Sequence, residues 1–418
     1  MFIKSNNRIV AGNGRRLISK AESLHARQTK SRFPPWKSRP LREIPTNGMV
    51  RRSPSSKPTD YFLIWEVIVK IHAIGIDLSK TTFHVVGLDE KGAVVLRRKQ
   101  SRKQLLIYTA NLPSALIGME ACGGAHYLGR ALEAQGHQVR LMPAQYVKPF
   151  VKTNKNDYLD AEAIAEAVQR PTMRFVPIKS DEQLDLQALH RVRDRWVARR
   201  TAVMNQIRGF LMDRGLTVRR GPNYLREVLV PVLDDSNALF SGRIRWLLRE
   251  LQAEWNELET RIEEVTGQIE AIAKENEECQ RLMEIPGFGP LVSTALTAAV
   301  GNAATFYKGR DLAAWLGLVP RQHSTGGKTR LLGISKCGSE YLRRMMLHGA
   351  RSVVMHVARK KSALGAWVEQ LSARTHRNVA VVALANKMAR IAWVILHKSE
   401  RYRPAALAPV SLSPAGAM

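Results

Sequence analysis

The sequence predicts an α/β domain followed by a helical remainder, and three observations predict it. Between residues 67 and 169, short apolar runs of strand length alternate with segments of helical period. Between residues 181 and 272, a long Arg-rich helical stretch is followed by one in which apolar residues recur in steps of four and three with Glu and Arg between them. From Ile285 to about His397 the chain is again helix-rich.

The elements follow in order. Val67 to Asp77 reads as a buried strand and Thr82 to Gly87 as a second. Asp89-Glu90-Lys91-Gly92 is a hairpin turn, and Ala93 to Arg97 a third strand. A helix over Arg102 to Asn111 precedes a fourth strand, Ala115 to Glu120. His126 to Gln135 is helical and stops at Gly136, which suits a helix C-terminus. Val139 to Met142 makes a fifth strand, and Asp157 to Gln169 a further helix. Three strands, helix, strand, helix, strand, helix is the layout of a ribonuclease-H-like α/β domain.

Asp181 to Leu216 reads as a long helix carrying Arg191, Arg193, Arg195, Arg199, Arg200 and Arg208. Ile244, Leu248, Leu251, Trp255, Leu258, Ile262, Val265, Ile269 and Ile272 then form about four heptads. This coiled-coil candidate fits a dimerisation arm, and it fits equally a helical hairpin within one chain. The expected organisation is a basic, disordered leader over 1–66, the α/β domain over 67–180, and the Arg-rich helix and coiled-coil arm over 181–280. A mainly α-helical C-terminal domain over 281–397 and a tail over 398–418 complete it. Met49 is an alternative start within the leader.

Composition narrows the partner. The 418 residues carry 65 Lys and Arg against 36 Asp and Glu, a formal charge of +29. Fourteen of the basic residues lie in the first sixty positions, against three acids, so the rest of the chain is strongly basic as well. Enzymes of small molecules rarely need such a balance, whereas a polyanion does. Cys122, Cys279 and Cys337 form no CxxC pair, which argues against a zinc site or disulfide framework and for a reducing, cytoplasmic setting. No run of about eighteen uncharged apolar residues suggests a membrane span, and Glu66 and Lys70 break the best candidate, Tyr61 to Ile71. No signal-peptide pattern opens the chain.

Four carboxylates stand out. Asp77 ends the first strand and Glu120 the fourth, so neighbouring strands would bring them to one edge of the sheet. Asp157 and Asp160, three apart on a helix, share a face. Such a cluster repels itself unless cations compensate it. Two Mg²⁺ ions about 3.5–4 Å apart would do so, and would suit phosphodiester chemistry. The preceding loop, with Lys152 and Lys155, is basic and suited to phosphate.

A second constellation lies downstream. Ile285-Pro286-Gly287-Phe288-Gly289-Pro290 before an apolar helix reads as a helix-hairpin-helix element, with Gly287 and Gly289 letting backbone N–H groups approach a phosphate. The stretch Gly317 to Arg330 sets Ser324 and Thr325 in a loop beside Gly326-Gly327. A hydroxyl there can attack a phosphodiester. Lys328, Arg330 and Lys336 can offset phosphate charge, and His323 can assist proton transfer.

Together these residues resemble the insertion-sequence-110 transposases, relatives of the Piv invertases, and especially their insertion-sequence-1111 branch. The matching segments are Gly75 to Lys80, Met119 to His126, Lys155 to Ala161, Ile285 to Pro290, Ala313 to Arg321 and Gly333 to Lys336. The resemblance covers about 330 residues, from near Val67 to near His397. It implies a RuvC-like domain whose Asp77, Glu120, Asp157 and Asp160 bind Mg²⁺, and a C-terminal transposase domain carrying a nucleophilic serine. It implies multimers, dimer or tetramer, that join acidic and serine sites from different subunits. It also implies a structured guide RNA pairing with target and donor DNA, and a nucleoid-associated setting. Arg321, Lys328, Arg330 and Lys336 would then touch nucleic acid. The family's serine commonly precedes the loop glycine; here Thr325 does, with Ser324 one residue earlier. Ser324, a less hindered primary hydroxyl, is the first choice and Thr325 the second. Cys122 replaces a more usual Thr. A RuvC-like nuclease that cuts branched DNA without a covalent intermediate is the alternative expectation, and a non-catalytic nucleic-acid-binding copy a third.

Overall fold

The computed structural model describes residues 71–152, 156–234, 239–356 and 362–404. The leader, Lys155 and most of the tail lie outside them. Five strands form one mixed sheet: β1 (Ala73–Leu78), β2 (Thr82–Leu88), β3 (Val94–Ser101), β4 (Leu116–Glu120) and β5 (Gln138–Met142). Their order is β3-β2-β1-β4-β5. β1 pairs antiparallel with β2 and parallel with β4, and β4 pairs parallel with β5. Ile74, Ile76, Val85, Ile117, Met119 and Leu141 are buried in its core.

Helix α1 (Arg102–Ala110) starts in a capping box in which Ser101 and Gln104 satisfy each other's backbone N–H. Helix α2 (Ala125–Ala134) is followed by Gly136 at φ +89, the left-handed conformation expected past a helix end. A single turn, α3 (Ala144–Val147), leads on to α4 (Asp157–Ala167). Gly75 lets α4 lie directly on β1: a Cβ there would fall 2.0 Å from the Ala161 carbonyl oxygen and 2.4 Å from the Ala165 nitrogen. Gly118 makes similar room on β4 beneath Val168.

The rest is mostly helical. α5 (Asp181–Met212) runs for 32 residues, and α7 (Gly242–Glu275) for 34, with α6 (Pro222–Val232) between them. The heptad face of α7 is covered by α5 of the same chain. Arg199 Nε donates to Glu254 at 2.7 Å and Arg193 Nε to Thr266 at 2.7 Å. Val203, Met204, Ile207 and Leu211 share a core with Ile244, Leu248, Trp255 and Leu258. The chain thus contains the helical hairpin, one of the two arrangements the heptads allow. The sequence pattern did not reveal α6, whose Leu225 and Leu229 fill the end of that core.

A C-terminal core follows, built by α8 (Glu277–Met283), α9 (Pro290–Val300), α10 (Gly309–Trp315), α11 (Glu340–His356), α12 (Ala363–Arg374) and α13 (Arg377–Lys398). By length and mean hydropathy, 1.8, α13 could cross a bilayer. Its Leu384, Ala385, Met388, Ala389, Ala392 and Leu396 instead pack inside this core. Two strands, β6 (Pro320–Thr325) and β7 (Lys328–Ile334), form a separate antiparallel hairpin.

α5 ties these parts together. At its start Arg130 of α2 pairs with Asp181 and donates to the Lys179 carbonyl. Gln187 then reaches the Ala298 carbonyl at 2.8 Å. His190, buried, shares hydrogen bonds with Tyr341 at 2.8 Å and Thr294 at 3.0 Å. Burial, with Arg193 nearby, lowers the His190 pKa to about 4 and keeps the ring neutral.

Candidate active site

Strand alternation builds the acidic edge. Gly75 and Asp77 share one face of β1, and Gly118 and Glu120 the same face of β4. The glycines admit α4, and the acids two residues on meet its first turn. Ile76 is aligned with Met119, so Asp77 and Glu120 stand side by side at the carboxyl ends of their strands. α4 begins at Asn156, whose side chain accepts from the Tyr158 N–H at 2.9 Å. Its first turn presents Asp157 and Asp160, where the helix dipole favours negative charge.

Two of the other carboxylates register in the electrostatics of Glu120. Burial, then the charges of Asp77 and Asp160, raise the Glu120 pKa above the usual carboxylate range. Burial and the charges of Glu120 and Asp77 also raise the neighbouring Cys122 thiol. Asp157 joins through His84, whose Nδ1 lies 3.5 Å from Asp157 Oδ2. One donor atom each from Asp77, His84 and Asp157 all lie within 4.8 Å of one another, spacing that could hold a metal ion.

A carboxyl held above its unfolded pKa weakens the fold once pH rises through the folded value. Glu120→Gln is therefore expected to raise the Tm of metal-free protein at pH 7 by roughly 1–3 °C. The gain should close as pH falls below the ordinary value of 4.5, where both chains are uncharged at this position. Calorimetry across that range checks it; a variant that melts lower at pH 7 would refute the crowding.

His84 is the residue that sequence reasoning missed. It is directly opposite Asp77 in the β1–β2 register and only 6% exposed. The sequence offered only a faint signal, one imidazole in a mostly apolar strand, because its place beside Asp77 follows from the register. Of the basic loop, Lys152 pairs with Glu166 of α4 at 3.4 Å.

The second constellation is a hairpin, which corrects the expected loop. Gly326 and Gly327, at φ +55 and +76, form the two-residue turn that matches strand twist, so the flanking residues pair. Pairing separates the hydroxyls. Ser324 is opposite Thr329 and accepts from Gln322 Nε2 at 2.7 Å. Thr325 points to the other face with His323, whose cross-strand partners are Lys328 and Arg330. Arg321, Lys328 and Arg330 are exposed. Lys336, at φ +55, lines a basic cleft with Arg344, His348 and Arg351. The two glycines of the helix–turn–helix differ in their surroundings. Gly287 is packed inward, where a Cβ would meet the Gly349 carbonyl at 2.7 Å, whereas Gly289 heads α9 in open space.

Comparison with known proteins agrees with this layout. Residues 74–214 match a transposase family of the IS110 DEDD type, which spans the acidic sheet and α5. Residues 279–364 match the family described as "Transposase IS116/IS110/IS902 family", which spans the hairpin. The chain is 47% identical over 337 residues to a "Probable family 20 transposase" of Pseudomonas aeruginosa, covering 80% of this chain and 100% of that protein. It is 43% identical over 333 residues to the "Transposase for insertion sequence element IS1111A" of Coxiella burnetii, covering 80% and 92%. With the "Transposase for insertion sequence element IS1328" of Yersinia enterocolitica it shares 40% over 322 residues, covering 77% and 96%. The chain belongs to the IS110/IS116/IS902 family of insertion-sequence transposases.

Proposed function

We propose that this transposase cuts and rejoins DNA with two centres: a ribonuclease-H-like, RuvC-like acidic edge that holds Mg²⁺, and a nucleophilic hydroxyl on the β6–β7 hairpin. The observation that carries the reading is the convergence of Asp77, Glu120, Asp157 and Asp160 on one sheet edge. The donor set fits a cation: hard carboxylate oxygens crowd together, and the buried His84 Nδ1 beside them makes no hydrogen bond. Bound Mg²⁺ would neutralise this crowding and polarise a phosphodiester. Asp77 and Glu120 act from rigid strand ends, and Asp157 and Asp160 from the first turn of α4.

At the hairpin, a side-chain oxygen attacks phosphorus, forms a phosphoester with one DNA end and releases a hydroxyl on the other. Attack on that ester by a new DNA hydroxyl rejoins the strand and frees the side chain, so bond energy is conserved. Thr325 is the better candidate, because it shares a face with His323, Lys328 and Arg330, while Ser324 is engaged by Gln322. Lys328 and Arg330 offset phosphate charge, and the neutral His323 ring takes the hydroxyl proton. The net charge of +29 and the resemblance support DNA and a structured guide RNA as partners, and a homo-oligomer that brings the centres together. The absence of a CxxC pair fits a cytoplasmic setting.

The test is a suicide substrate made from element-end DNA, incubated with the element's flanking RNA and Mg²⁺. A protein–DNA adduct mapping to Thr325 is expected. Thr325→Ala should lower its yield by about 100-fold or more, and Ser324→Ala by less than about tenfold. The opposite ranking assigns the nucleophile to Ser324. Cleavage at the wild-type rate by the double Ala variant would instead establish a water-using nuclease.

A further inference from the structure

We infer that His84 supplies an imidazole nitrogen to the Asp77–Asp157 end of the acidic site, and that this end takes Mn²⁺ in preference to Mg²⁺. The inference rests on the metal reading of the acidic edge and adds a ligand and a metal preference to it. Four observations converge on the ring. His84 is 6% exposed, on a strand otherwise apolar after Thr82. Its Nδ1 is buried and makes no hydrogen bond, which is rare for a nitrogen shut away from water. The β1–β2 register sets it directly across from Asp77, so both side chains leave the same face of the sheet. The Tyr158 ring meets it edge-on at 4.8 Å between centroids, which fixes the imidazole plane.

What Nδ1 faces is a pair of carboxylates. Asp157 Oδ2 is 3.5 Å away, too far for a strong hydrogen bond, on a side chain that is 58% exposed. Donor atoms of Asp77, His84 and Asp157 fall within 4.8 Å of one another. Two carboxylates and one imidazole make a mixed oxygen–nitrogen set. Mg²⁺ demands hard oxygen donors in near-ideal geometry, whereas first-row transition metals accept imidazole readily. Carboxylates alone also favour Mn²⁺ to some degree, so the nitrogen is diagnosed by the part of the preference that His84→Gln removes and by direct coupling of bound Mn²⁺ to nitrogen.

The experiment uses the full chain without nucleic acid, so that binding is read apart from activity. Mn²⁺ is titrated into metal-free protein at one pH near neutrality and followed by the paramagnetic resonance of the free ion, with Mg²⁺ as competitor. Wild-type protein is expected to bind Mn²⁺ about tenfold or more tightly than Mg²⁺. His84→Gln should weaken Mn²⁺ by about tenfold and alter Mg²⁺ by less than about twofold. Pulsed resonance of Mn²⁺ bound to the unaltered chain should show coupling to one imidazole nitrogen, a readout independent of whether any variant folds. Bound Mn²⁺ without nitrogen coupling overturns the role of His84. Mn²⁺ binding that needs Asp77 but is unchanged in His84→Gln overturns it too and leaves the metal reading standing. Failure of the wild-type chain to bind Mn²⁺ or Mg²⁺ overturns both.

Discussion

Gly75→Ala should lower Tm by roughly 5–12 °C and abolish strand cleavage together. The added methyl would sit 2.0 Å from the Ala161 carbonyl oxygen and 2.4 Å from the Ala165 nitrogen, both main-chain atoms that no rotamer change can move aside. Helix α4 must lift from β1, at a cost of about 3 kcal/mol, the upper end for overpacking. The same lift carries Asp157 and Asp160 away from Asp77 and Glu120, so activity falls even where the chain still folds. Gly267→Ala is the control of opposite sign. It lies on an exposed part of α7 with nothing within 4 Å, and alanine there should stabilise by about 0.5–1 kcal/mol. Differential scanning calorimetry with a plasmid recombination assay measures both. A Gly75→Ala chain that melts like wild type would mean that α4 does not rest on β1.

Asp77→Asn should leave the fold intact and reduce DNA cleavage by about 10³-fold or more, equal to roughly 4 kcal/mol of lost transition-state stabilisation. Asn keeps the shape but removes the charge at the point where β1, β2, β4 and α4 meet. DNA binding should persist with little change if, as proposed, phosphate contacts come from the exposed bases of the hairpin and from Lys336. Single-turnover cleavage and a salt-dependent binding titration separate the two effects. Cleavage above about a tenth of the wild-type rate would remove Asp77 from the chemistry.

Much of the sheet was readable because its signals are local. Short apolar runs marked β2 to β5 to within a few residues and the end of β1, whose expected start at Val67 lies outside the described residues, and Gly136 marked the end of α2. The four acids were readable as strand ends and a helix first turn. His84 was not singled out, because its meaning depends on register: only the pairing with Asp77 turns a strand histidine into part of a site. The β6–β7 hairpin was read as a loop because its strands are exposed on both faces, so no apolar alternation announces them. Gly326-Gly327 alone carried the hairpin signal. Helix α6 was hidden for a related reason. Pro231 lies within it, and proline usually argues against a helix interior.

Helix α5 has a mechanical consequence. From Asp181 to Arg208 it contains neither glycine nor proline, so it has no built-in joint over a span of about 40 Å. One end is pinned beside the acidic sheet through Arg130, the middle is gripped by α9 and α11 through Gln187, His190 and Asp194, and the far end is braced by α7. A strut held in this way passes a load along its length instead of absorbing it. With contacts at three places along it, the spacing between the acidic edge and the C-terminal core is set by a single length of helix.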